Sequence, residues 1–402
     1  MKIPSNASQN QGTSPQEIAP GVWMLEGFLS NDFMGSPPSC NVYFLRDGET
    51  LLILDTGHGN SSREDILEFI KKMEKEGIQR LILMVTQGHF DHSGNNDLLM
   101  ETGLDWEFRL PEPEFPVIDV FNDFLNDLGN LEKYENIYRT MFPLKGKTAV
   151  IRIVGMFAPG LAKIILRKVF RRQFSKCHPL AEKACPLKLK ERMTMEFGSV
   201  TLTGWKVGRF FIIHDGAHSP GHICLYDPDN RLLLCGDVTI EVNPAFLYSS
   251  INKLIETTER FNTMAEEGFI KIVGDSHRTR KYFTILCKQL GFQMLNEIQL
   301  IEYAVGKDQC IRFFSTFHSY YQQLKKEVLA AHEKVGRATV GKIVKELEKS
   351  SNPAVKLKTA LVFPQVPSRM DVLVASVLKE AGAVPVRERG KIVIDPVGIK
   401  SI

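Results

Sequence analysis

The chain has 402 residues, of which 43% are hydrophobic and 9% aromatic, with 50 Lys and Arg against 47 Asp and Glu. That apolar fraction excludes disorder for the bulk of the chain, and the length suits two to three domains. A net charge of +3 selects no particular partner, and seven cysteines without a C-x-x-C pair argue against a structural zinc ribbon or a disulfide framework.

Residues 1–20 read as a flexible tail, rich in Ser, Asn and Gln and lacking the apolar stretch of a signal peptide. Short β-like runs follow: GVWMLEG, NVYFLRDG and LLILDTG. Residues 63–77 predict an amphipathic helix, with Ile66, Phe69, Ile70 and Met73 on one stripe and Gly77 as its stop. RLILMVT predicts a buried strand that delivers the chain into the polar loop TQGHFDHSG.

Residues 107–196 read as a helical insertion splitting one α/β domain at 21–305. Prolines crowd at 111, 113 and 116, and ten Lys/Arg stand against two Glu between Pro159 and Arg192. Within the insertion, Val150 to Phe174 pairs an aliphatic wall with a basic rim, suited either to core packing or to an acyl chain on a phosphorylated carrier. The longest apolar run, from Ala149, is broken by Arg152, Pro159 and Lys163, so no membrane span is expected and the cytoplasm is the predicted compartment. Strands resume with FGSVTLTGW, FIIHDG, ICLYD and RLLLCGD. Residues 306–402 predict helices and then a two-stranded pair, AVPVRE and GKIVID, the order of a winged-helix-like domain. From 321 onward this part holds 15 Lys/Arg against 8 Asp/Glu.

Five separated clusters of metal-compatible side chains end strand-like runs: Asp55; His89, Asp91 and His92; His214, His218 and His222; Asp237; and His277. Neutral imidazole and carboxylate suit zinc or iron(II), and strand ends hold coordination geometry with little backbone cost. A single such His is ordinarily structural; five clusters in this order are not expected by chance. Cys235 closes the apolar run RLLLC and reads as buried rather than nucleophilic, and no G-x-S-x-G or phosphate-loop motif is present.

The order D…H-x-H-x-D-H…H…D…H resembles the metallo-β-lactamase superfamily, with HSPGH and LCGD as further family-like motifs. The resemblance implies a four-layer αββα sandwich with a metal site at one sheet edge. It implies a first metal site near His89 and His218, a second with Asp91, His92 and His277, and Asp237 bridging both. Asp91 would also orient the reacting water, and Asp55 would support the site from behind. His214 and His222 are expected to be structural, and His58 to sit at the rim. The chain departs from the pattern at Gln87, which stands where the family's first His is expected. An amide oxygen is a weaker, uncharged ligand, so one tightly held zinc ion at Asp91, His92, Asp237 and His277 is predicted, with the first site weak. The implied chemistry is hydrolysis by metal-activated water, of a small acyl substrate such as a thioester or lactone. The helical tail resembles the branch that includes β-lactamase-like protein 2, which keeps a nucleic-acid-binding or nuclease role as the alternative. Oligomeric state is not legible.

Overall fold

The computed structural model describes residues 14–27, 39–118, 178–246, 248–277, 303–360, 370–388 and 391–395. Two seven-stranded sheets form the centre. The first runs in spatial order β1 (Gln16–Ala19), β2 (Val22–Leu25), β3 (Val42–Asp47), β4 (Thr50–Leu54), β5 (Arg80–Met84), β6 (Asp105–Pro111) and β7 (Ala184–Leu187). The second comprises β8 (Met193–Phe197), β9 (Val200–Val207), β10 (Phe210–His214), β11 (Ile223–Asp227), β12 (Leu232–Leu234), β13 (Ile272–Gly274) and β14 (Tyr303–Val305), again neighbouring in sequence order.

The pleat decides the layers. Along β3, Tyr43 and Leu45 face inward, where they share a core with Trp205, Ile212, Leu225 and Leu234 of the other sheet. Val42 and Phe44 face outward, onto Ile66, Phe69 and Met73 of helix α1 (Asn60–Lys75). The outer face of the second sheet, Ile213, Tyr226 and Leu233, packs on α3 (Ile251–Glu266) and α4 (Lys307–Val335). The result is helix, sheet, sheet, helix.

Parallel pairing requires a crossover, and two of them place the site. Helix α1 carries the chain from β4 to the parallel β5, and α3 carries it from β12 to the parallel β13. Asp55, the 87–92 loop with its short helix α2 (Phe90–Ser93), Asp237 and His277 therefore all follow the C-terminal ends of parallel strands, at one end of the sandwich. The β10–β11 loop adds His218 from the same end.

The range 107–196 departs from its reading as an insertion at both ends. There β6, β7 and β8 are strands of the two sheets; Pro111 is tolerated as the last residue of β6 and Pro186 on the edge strand β7. Residues 119–177, including the segment from Val150 to Phe174, lie outside the described residues, as do residues 1–13 of the expected tail; the last part of that tail is instead strand β1, paired with β2.

Beyond β14, α4 is followed by α5 (Val340–Leu347), α6 (Pro353–Ala360), α7 (Met370–Glu380) and the hairpin β15 (Pro385–Glu388)–β16 (Lys391–Ile394). Phe314, Phe317, Ile343 and Leu373 from these elements share one apolar cluster with the second sheet. Among the described residues no helix is long and apolar enough to cross a membrane.

Candidate metal centre

The strand ends bring His89, His218 and Asp237 into one group, and Asp91, His92 and His277 into a second. In each, the candidate donor atoms lie within 4.8 Å of one another. Asp237 stands between the groups. Its Oδ2 is 3.4 Å from both His92 Nε2 and His218 Nε2, and its Oδ1 is 3.5 Å from His277 Nε2. His277 Nε2 is also 3.4 Å from Asp91 Oδ2. Gln87 faces the same centre: its Nε2 is 2.5 Å from Asp237 Oδ2 and 2.7 Å from His92 Nε2.

Each ring is aimed by a partner behind it. Asp55, at φ 65°, accepts from His92 Nδ1 at 2.9 Å and from the Thr86 amide at 2.6 Å, which turns His92 Nε2 toward the centre. Asn243 Oδ1 is 2.6 Å from His218 Nδ1 and does the same for that ring. His89 Nε2 bonds the Tyr248 hydroxyl while Phe246 packs against the ring at a 40° tilt, leaving Nδ1 facing His218 Nε2 at 3.4 Å. His222 is not at the centre: its Nδ1 pairs with Asp215 at 2.7 Å, and its Nε2 accepts the Asp237 amide at 2.9 Å. A Cβ at Gly236 (φ 54°) would lie 2.5 Å from that Nε2, so only glycine fits this approach. His214 Nδ1 meets Arg192, away from the centre. His58, expected at the rim, is buried against Phe90, and that burial pulls its ring down to about 4. Cys235 is fully buried.

Four residues around the centre carry no signal in the sequence: Glu114, Asn243, Tyr248 and Cys40. Glu114 ties two site loops together, accepting from the Gly88 amide at 2.7 Å, Ser219 Oγ at 2.6 Å and the Gly221 amide at 2.7 Å. Asn243 and Tyr248 lie in the stretch after Asp237 that carries no metal-like motif. Cys40, beside Asp55 and His92, is pushed up to about 12 by burial and remains a neutral thiol.

The electrostatics fit a cation. Burial pushes His218 down to about 4 and holds His89 well below the usual imidazole value, so both rings are neutral and keep a lone pair. Burial alone would raise both carboxyls, yet His92 and His277 hold Asp91 at about 2 and, with His218, keep Asp237 well below the ordinary range. Among the described residues no Lys or Arg pairs with Asp91 or Asp237; their ion-pair neighbours are histidines. Gln87 Oε1 and His277 Nδ1 are buried without a partner among those residues. Buried carboxylate charge costs several kcal/mol per ion unless it is paired or bound to metal. Against the pull of burial, the same carboxylates raise His92 and His277, so protons on these two rings supply the counter-charge here; a divalent metal suits the donor set by taking the place of those protons.

A model of the metallo-beta-lactamase superfamily matches residues 35–104 and 196–282, the two stretches that supply the site. The chain is 24% identical over 258 residues to acyl-coenzyme A thioesterase MBLAC2 of Homo sapiens, covering 62% of this chain and 77% of the relative. The Bos taurus protein of the same name is 22% identical over the same span. Among solved structures, a beta-lactamase domain protein from Burkholderia ambifaria superposes with a TM-score of 0.57 at 15% identity, covering 98% of this chain and 96% of the other. A metallo-beta-lactamase family protein from Thermus thermophilus superposes with a TM-score of 0.53 at 13% identity, covering 94% and 100%. The family model thus covers the two stretches that carry the candidate donors, and the superpositions show an α/β fold with two sheets and flanking helices.

Proposed function

We propose that this chain is a metal-dependent hydrolase of that superfamily, acting on a small acyl thioester. The observation that carries the proposal is the convergence of His89, His218, Asp237, Asp91, His92 and His277, in which one buried and one half-buried carboxylate have histidines rather than Lys or Arg as ion-pair neighbours among the described residues. Bound there, a divalent metal supplies a water ligand whose pKa falls from about 16 to roughly 7, and a Lewis acid for a carbonyl oxygen.

The residues divide the work. Asp91, His92, Asp237 and His277 hold the tighter ion, for which zinc suits the imidazole and carboxylate donors. His89 and His218 complete a second position around Asp237, weakened because Gln87 offers an amide. Asp91 orients the reacting water, and Asp55 holds His92 in the tautomer that leaves Nε2 free. The thioester class is supported by similarity to the acyl-coenzyme A thioesterases, and the winged-helix-like reading of the tail by the order of its elements. Two of the tail's basic residues are spent on internal pairs: Arg337 meets Glu388 at 2.8 Å and Asp395 at 3.2 Å, and Lys334 meets Glu346 at 2.5 Å. Similarity to the acyl-coenzyme A thioesterases, rather than these pairs, sets the thioester reading ahead of nucleic acid.

Metal counting by mass spectrometry should find about one tightly held ion per chain in wild type and about two in Gln87→His. Short acyl-CoA esters should be hydrolysed, with activity lost to a chelator or to Asp91→Ala. A metal-loaded chain inert toward thioesters, lactones and β-lactams would sink the hydrolase reading. Two tight ions in wild type would overturn the role given to Gln87.

A further inference from the structure

Helices far along the chain reach the back of the metal centre. Tyr321 on α4 and Lys358 on α6 are both fully buried, and both end on the loop that follows Asp237. The Tyr321 hydroxyl donates to the Val238 carbonyl at 2.6 Å and lies 3.1 Å from that of Ile240. Lys358 Nζ donates to the Val242 carbonyl, and lies 3.1 Å from that of Asn243 and 3.5 Å from that of Pro244. Asn243, held between them, does three things: its Nδ2 donates to the Asp237 carbonyl at 2.6 Å and lies 3.4 Å from Tyr321 Oη, and its Oδ1 faces His218 Nδ1 at 2.6 Å.

Among the described residues no carboxylate pairs with Lys358, and a buried lysine so placed is expensive, since its ammonium gives up hydration for carbonyl dipoles. Packing α6 on the core would require only an apolar side chain at this position. A lysine instead gathers successive carbonyls and fixes the path of the backbone that carries Asn243. From this we infer that Lys358 and Tyr321 are positioning residues of the metal centre, acting through Asn243 on His218 and on the backbone of Asp237. With Asn243 Oδ1 fixed, His218 keeps its proton on Nδ1 and its Nε2 lone pair stays directed at Asp237 and His89. If the loop relaxes, the ring is free to turn or to change tautomer, and one donor of the group is lost. Removal of such an outer partner typically weakens metal affinity about 10- to 100-fold.

The inference rests on the metal-centre reading of the preceding section, and the experiment separates the two. Metal-free full-length protein is titrated with cobalt(II), following the visible absorption of the bound ion, for wild type, Lys358→Met, Tyr321→Phe, Asn243→Ala and the double variant Asn243→Ala/Tyr321→Phe. Lys349→Met, on an exposed lysine of the same region, is the control. Tyr321→Phe removes one oxygen and keeps the ring, so it decides the matter where Lys358→Met fails to fold by circular dichroism. Tyr321→Phe and folded Lys358→Met should bind cobalt about 10-fold more weakly or worse, with an altered visible spectrum. In the Asn243→Ala background, Tyr321→Phe should add little, because both act along one path. Folded variants with wild-type affinity and spectrum, or full additivity in the double variant, would overturn the positioning role while leaving the metal centre standing. A wild-type chain that takes up no cobalt would overturn both.

Discussion

Asp55 shows how much of the centre is set by a residue that need not touch a metal. It holds a left-handed φ of 65°, a conformation that Asp and Asn tolerate better than other side chains, and from there its two oxygens reach Thr86 and His92. Asp55→Asn keeps the backbone preference and one acceptor oxygen but replaces the other with an amide donor. If that NH2 faces His92 Nδ1, the ring must carry its proton on Nε2, where it blocks ligation. The variant should therefore bind zinc about 10- to 100-fold more weakly while unfolding within about 1 kcal/mol of wild type. Competition against a chromophoric chelator reads the first quantity and urea denaturation the second. Equal zinc affinity in the two proteins would remove Asp55 from the orienting role.

At the scale of elements, strands β3, β4, β5 and β11 were legible because nearly unbroken apolar runs bounded by turn residues leave few alternatives. The motif side chains were legible for a related reason: titratable residues at strand ends stand out against the runs they terminate. The strands that carry proline were not: Pro111 closes β6, between β5 and β7, and Pro186 lies on the edge strand β7, and local propensity assigns both to loops. Helix α3 was hidden by Thr257 and Thr258 interrupting its buried stripe. Asn243, Tyr321 and Lys358 gave no signal, because their meeting depends on α4 and α6 folding back over the loop after Asp237. The ring pair Phe261 and Phe314, 5.6 Å apart and both fully buried, is the seam between α3 and α4. Phe314→Ala should cost about 3–5 kcal/mol through the cavity it leaves. Chemical denaturation should show it, and a loss below 1 kcal/mol would mean the two helices are not locked by this contact.

Over the whole molecule, the helices after Gly306 share a continuous core with the outer face of the second sheet rather than standing apart from it. Phe313, Phe314, Phe317 and Leu324 of α4 and Leu373 and Val374 of α7 belong to the same buried cluster as Leu254, Phe261 and Met264 of α3 and Tyr226 and Leu233 of the sheet. Polar ties cross the same seam: Ser376 Oγ donates to the Ser249 carbonyl at 2.7 Å, and the Asn252 amide donates to Glu380 at 2.9 Å. Separable domains meet through modest, more polar surfaces, whereas an apolar seam of this kind makes unfolding cooperative across it. Deleting residues 307–402 would expose Phe261, Met264 and Leu254 to water at about 1.5–3 kcal/mol for each large side chain, a sum comparable to the total stability of a folded protein. The shortened chain should therefore fail to give a cooperative thermal transition and should bind a hydrophobic dye. The full chain should unfold in one step, with far-ultraviolet circular dichroism and tryptophan fluorescence coinciding; Trp23, Trp106 and Trp205 all report from the sheets. A helical signal that melts well before or after that fluorescence would mean the tail folds on its own, and the apolar seam would then have to be weaker than its burial implies.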